Sequence, residues 1–491
     1  MLPYRYSALP LPEAGKYTRL LRLSPGDYSD DLHVELEQVL LDDTSKYEAL
    51  SYVWGSTADP VPVLVGSSRK RTISVTQNLA TALQHLRDAN EIRILWADAV
   101  CINQNDPKER SRQVTLMSDI YGGACQVVVW LGPEDDDSFR AFNVLHDIGS
   151  SIDVNWTDQS FKPKVAADNS SSSMLEDLRN YRFRDEEIHA VKRLLHRQWF
   201  ERLWIRQEIG LATQALVCCG RLTMSWCLFR DAIFFVYFEG RKLMTEALGD
   251  QIASFGSRIN LVYRLCHRRV YLLQTLRRDL GQVVCADSRD KIYGILSLID
   301  PHQQSMGITP DYTRDVALVY QDTTMRFINH TRNLSILHQC ELQDTPPHMP
   351  SWVPDWSTEL KMSSFLGVTS NASANLESIA SGKGGGVLSV AGVAIATIGD
   401  VQPMHLGDGE DGFRYMLTAL WSTVKSIFTT SNHNEISRLS AVCDALCGGH
   451  FLHATIPVRK DLPEFKSAMQ TFTSILSTNS PLADHLDSVP H

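Results

Sequence analysis

The chain lacks the features that would send it to or through a membrane. Its N-terminus has no apolar stretch of signal-peptide length, and its most apolar run, Ala232 to Phe238, is far too short to span a bilayer. The ten cysteines are scattered along the sequence, which is typical of free thiols in a reducing compartment. We therefore expect a cytoplasmic protein with no membrane span.

Excess positive charge is also lacking. The chain has 47 Lys and Arg against 57 Asp and Glu, a formal net charge of −10, which argues against a general nucleic-acid binder. The GxSxG, HExxH and glycine-rich dinucleotide motifs of common hydrolases and dehydrogenases are absent. A metal site is not expected either, because the following ligand candidates are spaced too closely for a zinc finger: Cys443, Cys447, His450 and His453.

What the chain does have is length and an alternation of short apolar runs with helical patterns. Its 491 residues exceed the size at which one core stops growing, so two or three packed units are expected. Strand candidates alternating with helices predict an α/β architecture. The strand candidates are Ala49 to Trp54, Ile73 to Val75, Ile92 to Ile102, Val127 to Leu131 and Ala215 to Cys219, and the clearest helix between them is Leu79 to Arg87.

The run from Ile94 to Gly132 is the most informative segment. It reads as a strand, a polar loop, a capped helix and a second strand, and such a crossover makes its two strands parallel. An N-cap, a first-turn proline, a capping-box glutamate and a glycine stop define the helix. These signals are Asp106, Pro107, Glu109 and Gly122–Gly123.

Asp98 stands inside the first predicted strand of this unit. A buried charge without a partner is costly, so Asp98 either bonds amides or an arginine to fix the fold, or it serves function. Function gathers at the carboxyl edge of such a sheet, where Cys101, Asn103 and Gln104 lie. Cys101 is either a small hydrophobe or a nucleophile, and Asn103 and Gln104 either cap the next helix or bind a ligand's amide.

Three segments together resemble the heterokaryon incompatibility (HET) domain of filamentous fungi. They are YEALSYVWG (Tyr47 to Gly55), the Leu95 to Gly132 stretch just described, and RLWIRQEIGLA (Arg202 to Ala212). A later segment, ADSRDKIYGILSLI (Ala286 to Ile299), resembles the region that often follows this domain. In that later segment we interpret Arg289, Asp290 and Tyr293 as a structural ion-pair and packing unit.

The resemblance implies the domain organisation. It covers about residues 47 to 212, and family members commonly continue with a strand-rich section that is not found here, which implies a truncated or divergent C-terminus. The expected organisation is a segment at residues 1–46 packing on the domain, the HET domain at 47–220 with an insertion at about 150–180, a mainly helical region at 221–343 and a mixed α+β region at 344–491.

The resemblance also implies a function in fungal non-self recognition, a form of innate immunity in which fusion of unlike cells triggers programmed cell death. It implies protein partners or self-association through the HET domain, with no required cofactor. HET domains are thought to be remote relatives of TIR domains, which have a flavodoxin-like sheet. Since some TIR domains cleave NAD with a catalytic glutamate, NAD is a candidate substrate.

On that analogy a carboxylate stabilises the cation formed as nicotinamide leaves. Glu208 is the first candidate and Asp98 the second; a salt bridge to an arginine is the structural alternative for Glu208. Trp54 and Gly55 form either a strand-end turn or a wall that stacks on a nucleotide. Pyrophosphate is the ligand expected for the nearby arginines, which are Arg110, Arg202 and Arg206.

Three functions are therefore open. The first is a signalling effector that triggers death after assembling with itself or a partner. The second is an NAD-cleaving enzyme of TIR-like mechanism, and the third is a non-toxic regulatory binding protein. The first two are compatible, because TIR-like enzymes act after assembly.

Overall fold

A computed structural model describes residues 2–11, 13, 15–41, 46–164, 183–239, 252–267, 270–340, 349–360, 377–383, 386–391 and 470. The chain divides into two units, residues 1–360 with 382–388 and residues 361–381 with 389–491. Most of the second unit lies outside the described residues, as do the cysteines and histidines at 443–453 and most of the insertion expected at about 150–180. Across the described ranges, no helix has the length and apolar character needed to cross a bilayer.

Ten strands of the first unit form one mixed sheet. The strands are β1 (Leu2–Pro3), β2 (Tyr17–Leu23), β3 (His33–Leu40), β4 (Glu48–Tyr52), β5 (Val61–Val65), β6 (Arg71–Val75), β7 (Arg93–Trp96), β8 (Gln126–Trp130), β11 (Ala215–Cys219) and β12 (Leu222–Ser225). Their order across the sheet is β1-β6-β5-β3-β2-β7-β4-β8-β11-β12. Two small sheets pair β9 (Ile152–Asn155) with β10 (Ser160–Pro163), and β13 (Ala380–Lys383) with β14 (Val387–Val390).

Twelve helices are described beside these strands, and the predicted α/β class is confirmed. They are α1 (Gln77–Leu86), α2 (Asp98–Cys101), α3 (Pro107–Gly123), α4 (Ser138–Ser151), α5 (Asp185–Leu195), α6 (Ile205–Gly210), α7 (Trp226–Phe238), α8 (Ile252–Cys266), α9 (Leu276–Leu280), α10 (Asp290–Tyr293), α11 (Pro301–Gln304) and α12 (Val316–Thr331). Short 3-10 turns occupy Gln198–Glu201, Leu273–Thr275, Leu296–Leu298 and Ser335–Gln339.

The centre of the sheet is parallel. Strands β7, β4, β8 and β11 are consecutive neighbours and all run in the same direction. The two strands predicted to be parallel, β7 and β8, are so, but β4 lies between them. Strands β1, β2 and β3 come from the first 46 residues and complete the same sheet, so this segment is part of the domain's core layer.

The prediction that Asp98 lies inside a strand is wrong. Strand β7 ends at Trp96, and Asp98 begins the one-turn helix α2, in which the amides of Val100 and Cys101 bond the carbonyl of Ala97. The Asp98 carboxylate accepts the Ala99 amide at 2.8 Å. An acidic side chain at a helix start satisfies an amide that a continuing strand would have paired elsewhere.

The predicted bounds of α3 are confirmed, but its capping box is not. Asp106 accepts the amides of Lys108 and Glu109, as an N-cap should. Glu109 does not bond back to Asp106. Its carboxylate is buried, and it binds the Arg19 guanidinium at 2.6 and 3.0 Å and the Asn103 amide at 2.7 Å. Glu109 therefore joins α3 to β2 and fixes the loop before the helix.

Candidate functional site

A cleft of about 530 Å³ lies at the carboxyl ends of β4 and β7, the edge where ligands bind in parallel sheets. Its volume is within the range of small-molecule and cofactor sites. The residues that line it come from the ends of two central strands, from α3, from residues 198–204 and from the segment after residue 283. They include Trp54, Gly55, Asp98, Gln104, Arg110, Met117, Glu201, Arg202, Trp204, Cys285, Asp287, Asp290 and Tyr312.

Asp98 and Trp54 form the sheet side of this cleft. The Trp54 indole nitrogen donates to the Asp98 carboxylate at 2.8 Å, while the indole remains 38% exposed. In the described part of the chain Asp98 makes no salt bridge. The glycine after the tryptophan, Gly55, has a φ of +76°, a left-handed conformation that favours glycine and turns the chain at the end of β4. Asp98 and Trp54 therefore present a half-buried carboxylate beside an exposed aromatic ring.

Arg110 and Tyr312 form the opposite side. The Arg110 guanidinium lies 3.9 Å from the centre of the Tyr312 ring and 3.6 Å from the Asp287 carboxylate. A guanidinium over an aromatic face still has N–H groups that point outward from its own plane, where they can bind phosphate or carboxylate oxygens. This side can therefore hold an anionic ligand.

Asp290 is a buried carboxylate at the same wall. Its carboxylate accepts the Tyr312 hydroxyl at 2.5 Å and the Trp204 indole N–H at 3.1 Å. Burial raises the pKa of Asp290 to about 6, although both hydrogen bonds act to lower it. The ion pair expected between Arg289 and Asp290 is not the one formed, because Arg289 pairs with the Asp287 carboxylate at 2.7 Å. Asp290 instead lines the cleft and accepts hydrogen bonds from two of its aromatic side chains.

Glu208 lies beneath the cleft and does not line it. It is 2% exposed, accepts a hydrogen bond from the Ser51 hydroxyl and lies 3.7 Å from the Arg202 guanidinium. The Trp199 indole donates to the same hydroxyl at 2.8 Å. Burial raises the pKa of Glu208 to about 7, against the opposing effects of Arg202 and Ser51. Glu208 therefore acts on the cleft only indirectly, through its contact with Arg202, which does line the cleft.

Because the pKa of Glu208 is raised on folding from 4.5 to about 7, the unfolded chain releases this proton at lower pH than the native protein. The contribution of Glu208 to the stability of the folded protein is full below pH 4.5 and is lost as the pH rises to about 7. We expect the unfolding free energy of the wild type minus that of Glu208→Gln to be about 2–3 kcal/mol larger at pH 5 than at pH 8.

Denaturant unfolding of both proteins at the two pH values measures this difference. Glu37→Gln, which changes an exposed carboxylate on β3, is the matched control. A constant difference for Glu208→Gln would mean that Glu208 is ionised throughout this range.

The structure separates the predicted ligand-binding residues into two groups. Those that line the cleft are Trp54, Gly55, Asp98, Gln104, Arg110 and Arg202. The others lie away from it. Cys101 is fully buried, and burial raises the pKa of its thiol to about 12. The backbone amide of Asn103 donates to the Glu109 carboxylate, and Arg206 is buried on α6.

Gln104 is in the cleft because the Arg19–Glu109 pair holds its loop. Arg19 also bonds the Cys101 carbonyl at 3.0 Å, and the Gln104 side chain donates to the Asp98 carbonyl at 2.8 Å. The polar loop is thus held from below by a buried ion pair. The side-chain amide of Gln104 closes the turn that begins at Asp98, the candidate catalytic aspartate.

Sequence reasoning missed the contribution of the segment after residue 283. The backbone of Val284 pairs with that of Glu201 at 2.7 Å and of Leu203 at 3.0 Å, which brings Cys285, Asp287 and Asp290 against the domain. The available signal was the resemblance of Ala286 to Ile299 to the region that follows the HET domain. A sequence pattern does not show that this region completes the cleft, because the pairing partners are about 80 residues apart.

No metal centre is formed by the described residues, which contain no group of three or more histidines, cysteines or carboxylates placed to hold an ion. The arrangement can instead bind an organic ligand with an anionic part. It offers a ring for stacking, arginines for oxyanions and a carboxylate that is not neutralised by an ion pair.

Part of the chain is similar to a known protein family. Residues 47–208 match the family model described as heterokaryon incompatibility protein (HET). The chain is similar to the heterokaryon incompatibility protein 6, OR allele, of Neurospora crassa, with 29% identity over an alignment of 413 positions that covers 72% of this chain. The match spans 60% of the length of that relative. No solved structure matches the chain.

Proposed function

We propose, from the premise that this chain is a HET domain protein of filamentous fungi, that it acts as an effector of heterokaryon incompatibility. In this role it triggers death of the fused cell after it assembles with itself or with a protein partner. The observation that carries the proposal is the cleft at the carboxyl edge of the HET domain's sheet, because the most characteristic segments of the domain converge on it.

A second, compatible function is favoured by the contents of the cleft. An exposed indole beside a carboxylate, with two arginines nearby, suits a dinucleotide such as NAD. The Trp54 ring would stack on a base, and Arg110 and Arg202 would bind the pyrophosphate. Asp98 would face the ribose from which nicotinamide departs.

The chemistry then requires one carboxylate in the right place. The bond from the ribose C1′ to the nicotinamide nitrogen breaks, and the bonding electrons leave with nicotinamide. The Asp98 carboxylate stabilises the positive charge left on the sugar. Water adds to C1′ and loses a proton, which gives ADP-ribose. In this proposal Glu208 is a positioning residue that acts by holding Arg202.

Expression in a filamentous fungus tests the effector proposal. We expect the wild-type chain to reduce viability and Asp98→Asn to abolish that effect, because the amide keeps the shape of the side chain but removes its charge. Asp119→Asn is the matched control, since the Asp119 side chain is 38% exposed on α3 and its ion pair among the described residues is with Lys16. It should remain as toxic as the wild type.

Protein abundance must be equal for the three chains. Full toxicity of Asp98→Asn would exclude a role of the cleft carboxylate in killing. A wild-type chain that assembles with its partner and is harmless would instead identify a regulatory binding protein.

A further inference from the structure

The arginines that line the cleft lie among a larger number of carboxylates. Among the described residues, the lining arginines are Arg110 and Arg202, and the lining carboxylates are Asp98, Glu201, Asp287 and Asp290. A wall with this balance of charge repels a pyrophosphate unless other cations neutralise some of the carboxylates. The residues that neutralise them therefore decide whether the cleft can bind an anionic ligand.

Asp287 is the carboxylate placed to compete with a ligand for Arg110. It lies 3.6 Å from the Arg110 guanidinium, which is too far for a hydrogen bond. Within the described ranges the Arg110 guanidinium contacts Asp287 and the Tyr312 ring and makes no hydrogen bond. The Arg110 side chain is 32% exposed. Its outer N–H groups are therefore accessible from the cleft.

Arg289 is the residue that holds Asp287 in this position. Its Nε and Nη2 donate to the two Asp287 oxygens at 2.8 and 2.7 Å, which is a bidentate pair. Its Nη1 donates to the carbonyls of Tyr312 and Arg314 at 2.8 and 2.7 Å. Although burial acts to raise the pKa of Asp287, the hydrogen bonds from Arg289 hold it below its usual value. Asp287 is therefore ionised, and Arg289 neutralises it.

Two of the other lining carboxylates are engaged elsewhere. Glu201 forms an ion pair with Arg258. Asp290 accepts the Tyr312 hydroxyl and the Trp204 indole N–H. Asp287 is thus the carboxylate whose pairing with one arginine determines whether it takes the Arg110 guanidinium.

We propose that Arg289 is a positioning residue for the ligand, which keeps Asp287 paired so that Arg110 can bind the pyrophosphate of a dinucleotide. This inference rests on the proposed cleavage of NAD. It gives a binding role to a residue outside the segment 47–208 that matches the family model. Without Arg289, Asp287 would pair with Arg110, the other arginine that acts on it. The ligand would then bind only the fraction of molecules in which that pair is open, which weakens its apparent affinity.

Titration calorimetry of the full chain with ADP-ribose tests this role, because ADP-ribose carries the pyrophosphate and is the product of the proposed cleavage. Arg289→Met should weaken binding by about 10-fold. The double variant Arg289→Met with Asp287→Asn should recover most of the affinity, because it removes the competing carboxylate. A residue that only held the wall together would not be rescued by that second change. Arg314→Met is the matched control and should bind as the wild type does, since the Arg314 side chain pairs with the exposed Asp322.

A second variant covers the case in which Arg289→Met does not fold. Arg289→Gln then replaces it with the same expectation, because its amide can still donate to the Tyr312 carbonyl but carries no charge. Equal affinities of the wild type and the single variant, or a loss that Asp287→Asn does not restore, would overturn the role of Arg289 alone. Failure of the wild type to bind ADP-ribose would instead overturn the NAD proposal, and this inference with it.

Discussion

Glu109→Gln should destabilise the protein by about 3–5 kcal/mol, because it leaves the Arg19 guanidinium charged and buried without a counter-ion. The side chains of this pair are 1% and 4% exposed, and the two groups approach to 2.6 Å. Denaturant unfolding of the wild type and the variant measures the difference. The variant should also loosen the loop that carries Gln104, since Glu109 holds the Asn103 amide.

The same helix offers the matched control. Lys16 and Asp119 also join the β2 region to α3, but their side chains are 58% and 38% exposed. Asp119→Asn should cost only about 0–1 kcal/mol, because water screens an exposed pair. A loss for Glu109→Gln no greater than that for Asp119→Asn would contradict the assignment of a buried ion pair. Replacing both partners with apolar side chains, Arg19→Met with Glu109→Leu, should recover much of the loss.

In the proposed cleavage of NAD, Asp98→Asn should lower the rate of nicotinamide release by at least about 100-fold, the usual effect of removing a group that stabilises transition-state charge. The variant is a fair test because an asparagine can still accept the Trp54 indole hydrogen bond of 2.8 Å. Release of nicotinamide from NAD by the assembled protein is the measurement. A rate equal to that of the wild type would exclude Asp98 from the chemistry.

Trp54 provides a variant with a different signature. Trp54→Ala should raise KM more than it lowers kcat, because stacking binds the substrate before and during the reaction. Trp54→Phe should recover most of the binding, since it restores a ring without the indole N–H. The contrast between a kcat effect at Asp98 and a KM effect at Trp54 distinguishes the two roles from a general loss of folding.

Local signals in the sequence predicted α3 well. Asp106 and Pro107 act on the start of the helix through neighbouring backbone groups, and the structure confirms the helix at Pro107–Gly123. Gly122 and Gly123 are its last residues, and neither has the positive φ of a glycine stop. The apolar strand that follows was equally clear, because a central parallel strand is buried on both faces. These features depend on residues within one turn of each other.

Features that depend on distant residues were not predicted. The apolar run around Asp98 favoured a strand through that residue. The strand instead ends at Trp96, and the Asp98 carboxylate accepts the Ala99 amide. Glu109 was expected to complete a capping box, but its carboxylate instead binds the guanidinium of Arg19, which lies 90 residues earlier. The cleft wall formed by Asp290 and Tyr312 depends on the backbone pairing of Val284 with Glu201 and Leu203. A sequence supplies the candidates for such contacts but not the choice among them.

The most direct test of the central proposal follows NAD content and viability together in cells that express the chain. The account predicts that NAD falls before viability does in the wild type. It also predicts that neither changes with Asp98→Asn, and that both change with Asp119→Asn as in the wild type, at equal protein abundance. Death of cells that express the wild type with their NAD content unchanged would contradict it.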